Sequence, residues 1–283
     1  MAPLSASTIK AYEKTLKSLR ILTSAPFSDY KAIQKAVEES HYSDSTKTSM
    51  YCAIKGMKHS ELNEEQIKAY TDMIGAYMIK KKAQPTQVMS KKEEEKFVEW
   101  PKILEVVDKI KDDVSDYITH TNYVIVCLYT MFPPRRLEYG DMKVVQKLPK
   151  DFLLDELVDN LFVVESSEFI FGNYKTKKSY GVQQFKLPES LAGVLKDYIK
   201  KWNPEYLLTN ADKGPMGEHT LGVRIGRIFE RYTKKTVGVS VLRHSYITFL
   251  RKDEKPLDEQ KDMASKMGHS VMMSMEYRKM KNE

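Results

Sequence analysis

The chain has 283 residues, 41% of them hydrophobic, which is enough to bury a sizeable core in one large domain or two smaller ones. A formal net charge of +7 and a pI near 9.0 favour an anionic partner, most commonly nucleic acid, although charge alone also fits an ordinary basic protein. The two cysteines, Cys52 and Cys127, lack partners at metal-ligand spacing. No signal peptide is evident, and no apolar run approaches the ~20 residues of a membrane span. We therefore expect an intracellular protein of the cytoplasm or nucleus.

The first 82 residues predict a compact bundle of about four helices. Ser5 or Ser7 can cap the first helix, whose apolar residues recur at three- and four-residue steps from Ile9 to Leu19. The same periodicity predicts a short helix over 30–39, another after the serines of 43–49, and a longer one over 63–81.

Residues 83–97 are rich in lysine and glutamate and have no apolar periodicity, which predicts a linker between a domain at 1–82 and a second at 98–283. In the second domain, helices are expected to alternate with a three-stranded sheet. The predicted strands are 161–164, 169–171 and 182–187, and the later predicted helices are 191–202, 219–234, 241–251 and 257–266. The predicted fold class is mainly α with a small β-sheet, an α+β arrangement.

Two distant segments carry residues that suit phosphate chemistry. Residues 135–138 follow an apolar run and two prolines and read RRLE, and near the C-terminus Arg243 is followed by His269 and Tyr277. Arginine presents a planar fork to phosphate oxygens, histidine adds a donor, and a tyrosine hydroxyl can form a covalent bond to phosphorus. Singly, each residue fits a surface turn or a core position, but together they favour a phosphate site.

At these residues the chain resembles the tyrosine recombinase, or phage integrase, family. That family has an arginine, two further residues and Glu-Leu after a helix and turn, which residues 135–139 resemble. It then has His-x-x-Arg-His, a Gly-His pair and a nucleophilic tyrosine, which residues 240–244, 268–269 and Tyr277 resemble. The order and spacing extend the resemblance over the C-terminal two thirds of the chain.

The resemblance implies cleavage of DNA without metal, ATP or any other cofactor. Arg135 and Arg243 would stabilise the transition state, His269 would donate to the phosphate, and Tyr277 would form a 3′-phosphotyrosyl bond. Two further residues would support the site. Glu138 would hold an arginine in place, and His244 would support the site without touching the substrate.

The family also carries a lysine on a hairpin turn between its two signatures, where it acts as the general acid. We match it to Lys175, while Lys177 and Lys178 in the same turn are rivals because hairpin register is poorly set by sequence. The basic faces of the helical domain would clamp duplex DNA, although such faces are more often merely solvated. The candidate DNA contacts are Lys10, Lys14, Lys17, Lys47, Lys55, Lys177 and Lys178.

Two departures from the family pattern keep three functions open. Ser240 stands where the family has its first histidine, which removes or weakens the group that would take the tyrosine proton, and the gap from His269 to Tyr277 is one residue short. The leading function is a site-specific recombinase or integrase that acts on double-stranded DNA as a dimer or tetramer. A type IB topoisomerase and a DNA-binding relative with impaired catalysis are the alternatives.

Overall fold

The computed structural model describes residues 4–83, 88–251 and 255–279. The chain divides into two compact units, Met1–Pro85 and Thr86–Glu283. Of the predicted linker, residues 84–87 lie outside the described ranges. Lys91–Lys96, within the same predicted linker, form a helix that Ser90 and Glu93 cap reciprocally. This helix was not predicted, because six residues without a buried face give no apolar periodicity.

The first unit is helical, as its sequence pattern predicts. Ser5, Asp29 and Ser43 cap successive helices by accepting a hydrogen bond from a backbone N–H in the first turn. The core is closed by Tyr70, which is fully buried and donates its hydroxyl to the Phe27 carbonyl at 2.7 Å. The helices are α1 (Ala6–Leu22), α2 (Tyr30–Glu38), α3 (Asp44–Met57) and α4 (Glu64–Ala83).

The second unit combines helices with one small sheet, so the prediction of a mainly helical α+β chain is confirmed. The predicted helix over 257–266 is reproduced to the residue, and the others shift at their ends by a few residues. Its helices are α5 (Lys91–Lys96), α6 (Trp100–Asp112), α7 (Tyr117–Thr130), α8 (Lys177–Tyr180), α9 (Glu189–Trp202), α10 (Gly217–Thr233), α11 (Val239–Leu250), α12 (Leu257–Lys266) and α13 (Val271–Tyr277).

Helix α7 is the centre of this unit. A capping box of Asp116 and Thr119 starts it, and its residues 123–129 are all buried, so neighbouring helices surround it. Met131 ends it, and two prolines follow, which cannot continue a helix. The helix therefore stops at this point, and Arg135 follows the two prolines.

The sheet has four strands in the order β1-β2-β3-β4, rather than the three predicted. Strand β1 runs parallel to β2, with Val144 opposite Phe162, whereas the other pairings are antiparallel. It was missed because three half-buried residues are too short to show a period of two. The strands are β1 (Lys143–Val145), β2 (Asn160–Val163), β3 (Glu168–Phe171) and β4 (Gln183–Lys186).

Within the described ranges, no helix combines the length and the apolar character needed to cross a membrane.

Candidate functional site

Arg135 is fully buried at the end of the turn that follows α7. Its guanidinium carbon lies 3.8 Å from the centre of the Phe171 ring, so the planar group rests on β3. Nη1 donates to the Lys266 carbonyl at 2.9 Å and to Oε1 of Gln183 at 3.2 Å. Its Nε and Nη2 are buried and have no hydrogen-bond partner in the described structure.

Arg243 lies in the second turn of α11 and is 1% exposed. Its Nη1 donates to the carbonyls of Pro134, at 2.8 Å, and Met267, at 3.0 Å. Since Lys266 and Met267 are adjacent at the C-terminal end of α12, one helix end holds both arginines side by side. Nε and Nη2 of Arg243 are also buried without a described partner.

These unpartnered nitrogens define the chemistry that the site can accept. A buried donor left without an acceptor costs about 1–3 kcal/mol, and more when it is charged. Burial lowers the pKa of Arg135 and of Arg243. The negative charge of Glu138 opposes this effect most at Arg135, and Tyr277 opposes it most at Arg243. Four buried guanidinium nitrogens match an oxyanion with several oxygens, such as a phosphodiester.

The turn between α12 and α13 completes the site. Gly268 has a φ of +70°, and a Cβ added to it would lie 3.0 Å from Nη2 of Arg135, so glycine suits both the backbone and the space. The next residue, His269, is 5% exposed. Its Nδ1 lies 3.0 Å from the Ser270 carbonyl, to which it donates, and its Nε2 has no partner in the described structure.

Burial, followed by the charge of Arg243, lowers the pKa of His269 to about 4. The imidazole is therefore neutral near pH 7, and because Nδ1 carries the proton, Nε2 is an acceptor. The predicted donation from His269 to a phosphate thus requires proton uptake. An anion beside the ring favours that uptake, because it raises the pKa of the imidazole.

Tyr277, the last residue of α13, lies against the same groups. Its ring is stacked on His269, with centroids 5.4 Å apart and planes 10° from parallel, and the guanidinium carbon of Arg243 is 4.9 Å from its centre. His244 packs on the ring at 4.8 Å, and its Nδ1 donates to the Tyr277 carbonyl at 2.8 Å. The structure therefore gathers the two arginines, the histidines and the tyrosine that were predicted to form one site.

The connection from β3 to β4 carries the predicted lysines. It spans residues 172–182 and contains α8, so it is longer than the tight hairpin turn expected. Lys177 donates to the Leu157 carbonyl at 2.6 Å, which ties its ammonium to the backbone there. Lys175 and Lys178 are exposed and make no hydrogen bond or ion pair in the described part of the chain. Of the three, Lys177 is therefore the least able to reach a substrate.

Glu138 does not hold an arginine as expected, and Ser240 lies at the surface. Glu138 is 6% exposed, but within the described residues neither Arg135 nor Arg243 bonds to it, and its Oε2 has no partner. Main-chain carbonyls and Gln183 hold the arginines instead. Ser240 lies exposed in the first turn of α11.

In the first unit, one of the predicted DNA contacts is displaced. Lys47 was predicted to face outward, and this is wrong: it is 8% exposed and donates to the Glu38 carbonyl at 2.8 Å, because α3 packs this position against the end of α2. Lys10, Lys14 and Lys17 are exposed along α1, and Lys55 is half-buried.

Several residues around the site were not predicted. Gln183 joins Arg135 to Ser265 of α12, and Thr176 donates to the Gly268 carbonyl at 2.9 Å. Asn160 bonds both the Glu138 carbonyl and the backbone of Asn173, which ties the arginine turn to the lysine connection. All three act between segments far apart in sequence, so no local pattern reveals them.

Arg136 also contributes, because its charge lowers the pKa of both Arg243 and His269. Its one sequence signal is its place beside Arg135.

Comparison with known proteins bears on the fold. No protein-family model matches the chain, and no curated protein sequence matches it. Among solved structures, a lambda integrase dimer bound to a COC′ core site is 12% identical, with 98% of this chain and 90% of that chain covered and a TM-score of 0.54.

Two complexes of the XerH site-specific recombinase are also similar. The post-cleavage complex with palindromic difH substrate is 15% identical, with 96% of this chain and 75% of that chain covered and a TM-score of 0.53. The pre-cleavage complex with difH is 19% identical, with 95% and 73% covered and a TM-score of 0.50. The chain thus has the tyrosine-recombinase fold, mainly α with a small sheet.

Proposed function

We propose that this protein is a site-specific DNA recombinase that cleaves and rejoins duplex DNA through a covalent bond to Tyr277. The observation that carries the proposal is the set of buried, unpartnered nitrogens of Arg135 and Arg243 beside that tyrosine. The fold supports it, because the similar solved structures are recombinases and an integrase in complex with DNA.

In the proposed reaction the Tyr277 oxygen attacks a phosphorus of the DNA backbone and the bond to the 5′ oxygen breaks. Negative charge grows on the non-bridging oxygens, where the free Nε and Nη2 atoms of Arg135 and Arg243 stabilise it. His269 takes up a proton on Nε2 as the phosphate binds, and this N–H then donates a hydrogen bond to a phosphate oxygen. Attack by a 5′ hydroxyl on the phosphotyrosyl bond reverses the step, so rejoining needs no nucleotide.

Protons have to leave the tyrosine and reach the departing 5′ oxygen. Lys175 supplies the second proton, because it is the unengaged lysine nearest the Thr176 contact with the Gly268 turn. The phenolic proton passes to solvent water, since Ser240 offers no basic group at the first turn of α11. We expect slow chemistry, because no basic side chain at this position takes the phenolic proton.

Tyr277 attacks in cis in this proposal. Its ring lies on His269 and beside Arg243 of its own chain, and His244 fixes the carbonyl of the same residue. A mixture of Tyr277→Phe with Arg243→Gln protein tests this: cis attack predicts no adduct from the mixture. Restored adduct would mean that the tyrosine of one protomer serves the arginines of another.

The remaining parts of the proposal concern DNA and assembly. The unit Met1–Pro85 binds the duplex through exposed lysines of α1, namely Lys10, Lys14 and Lys17, with Lys55 at its side and Lys47 left out. Lys178 contacts backbone near the cleaved phosphate. Strand exchange requires two paired duplexes, so the protein acts as a dimer or tetramer on DNA.

Covalent capture tests the function without a known target site. A pool of duplexes with a randomised core and nicks at varied positions is incubated with the protein, and SDS-resistant adducts are recovered, amplified and sequenced. We expect one sequence class to be enriched, with the adduct lost in Tyr277→Phe and kept in Tyr180→Phe, whose tyrosine is exposed on α8.

Other outcomes favour the alternatives. If duplexes are enriched by native binding while no adduct forms in any round, the protein is a DNA-binding relative without catalysis, which the solvent-exposed Ser240 favours. If adducts form and supercoiled plasmid is relaxed without joining of two duplexes, it is a topoisomerase.

A further inference from the structure

The β3–β4 connection is anchored on both sides of Lys175, the lysine proposed as general acid. Asn173 bonds Asn160 through its N–H and its carbonyl, and the buried Tyr174 donates its hydroxyl to the Gly181 carbonyl at 2.6 Å. Lys177 is held by the Leu157 carbonyl. The exposed Lys175 lies between these anchors, so its backbone is positioned while its side chain is free.

One anchor differs from the others because it reaches the phosphate site itself. Thr176 donates its hydroxyl to the carbonyl of Gly268, 92 residues away in sequence. Gly268 is the residue that leaves room for Nη2 of Arg135, and His269 follows it. The threonine hydroxyl is the one group in the described chain that bonds this carbonyl.

We infer that Thr176 is a positioning residue: its hydrogen bond to the Gly268 carbonyl docks the lysine-bearing connection on the turn that holds His269, and so sets where Lys175 delivers its proton. The inference rests on the proposed function. Its physical basis is that a long connection between two strands has many conformations, and one hydrogen bond to a fixed turn removes those that carry the lysine away.

The matched variants are Thr176→Val and Thr176→Ser. Valine keeps the shape of threonine but cannot donate, whereas serine keeps the hydroxyl. The duplex found by covalent capture is made in two forms, with an ordinary phosphodiester or with sulfur as the bridging 5′ atom at the cleaved position. A thiolate leaves without a proton, so the sulfur form bypasses the general acid.

With the ordinary duplex we expect Thr176→Val to form adduct about fivefold more slowly, the factor that corresponds to one lost hydrogen bond, and Thr176→Ser to cleave at close to the wild-type rate. With the sulfur duplex we expect the valine variant to match the wild type. Hydrogen exchange of residues 173–181 should be faster in the valine variant, which measures the docking without any substrate.

Each other result overturns the inference. Equal slowing on both duplexes would mean that Thr176 supports the His269 turn rather than the lysine. Unchanged cleavage and unchanged exchange would mean that the hydrogen bond positions nothing. If the wild-type protein forms no adduct with any duplex, both the proposed function and this role of Thr176 are wrong. If the wild type forms the adduct and only Thr176→Val behaves differently from the expectation, the role of Thr176 is wrong and the proposed function stands.

Discussion

Replacing Gly268 with alanine tests whether the buried arginines must sit where the structure has them. The residue has a φ of +70°, a conformation that costs an L-residue about 1–2 kcal/mol. The added Cβ would also lie 3.0 Å from Nη2 of Arg135, so the guanidinium must move by a few tenths of an ångström. Nη1 of Arg135 donates to the Lys266 carbonyl, and the face of the guanidinium packs on the Phe171 ring, which limits how far the group can move away.

Gly217 offers a matched control in the same unit. Its φ is +71°, and a Cβ there would meet no heavy atom within 4 Å. Both alanine variants should therefore lower the free energy of unfolding by about 1–2 kcal/mol, measured by urea titration. Only Gly268→Ala should displace Arg135.

Removing a donor that stabilises a transition-state oxyanion slows a reaction by about 10²–10³, so a partly displaced donor should slow it by about tenfold. We expect Gly268→Ala to form the phosphotyrosyl adduct about ten times more slowly than Gly217→Ala. Equal rates in the two variants would show that the position of Nη2 of Arg135 does not govern cleavage and that the unpartnered nitrogens do not stabilise the transition state.

Three further predictions address pH, the sheet and the helical unit. The pKa of His269 is about 4 in the folded protein and near 6.5 in the unfolded chain, so the unfolded chain binds more protons between these pH values. The contribution of His269 to the free energy of unfolding is therefore fully present above pH ~6.5 and is lost as the pH falls towards 4. Between pH 7 and pH 5, the free energy of unfolding measured by urea titration should fall by about 2 kcal/mol more in the wild type than in His269→Gln. Asn160→Ala loses hydrogen bonds to Glu138 and Asn173 and should lower the unfolding free energy by about 2–3 kcal/mol, whereas a change under about 0.5 kcal/mol would show that Asn160 does not tie the two segments together. Lys14→Met should weaken DNA binding in a gel-shift assay without changing the thermal midpoint. Lys47→Met should change the thermal midpoint without weakening DNA binding, and weaker DNA binding at an unchanged midpoint in this variant would contradict the burial of Lys47.

The fold was readable from the sequence where local patterns are strong. Two prolines after a fully apolar run locate the end of α7 and therefore Arg135, and serine caps locate the first helices. Strand β1 was not predicted, because three residues that pair in parallel with a distant strand are too few to show an alternation of apolar and polar residues.

The residues that lie together at the site could be named from the sequence, but the groups that hold them could not. The resemblance implied that Glu138 holds an arginine. Instead, Arg135 is held by a carbonyl 131 residues away and by Gln183, and Arg243 is held by the Pro134 carbonyl. Every residue has a carbonyl, so composition cannot mark which one is used. The same holds for Lys47, whose direction depends on how α3 packs on α2.

The choice of carbonyls over carboxylates has a consequence for function. A carboxylate paired bidentately with Arg135 would satisfy its donors and neutralise its charge, leaving nothing to attract a phosphate. Carbonyls at the end of α12 instead engage only Nη1 of each arginine and leave Nε and Nη2 free and buried, at a cost of about 1–3 kcal/mol for each unsatisfied group. An oxyanion that binds these nitrogens should recover part of that cost. Vanadate, which resembles phosphate, should therefore raise the thermal midpoint of the wild-type protein and have little effect on Arg243→Gln, and an equal rise in both would show that the anion binds elsewhere.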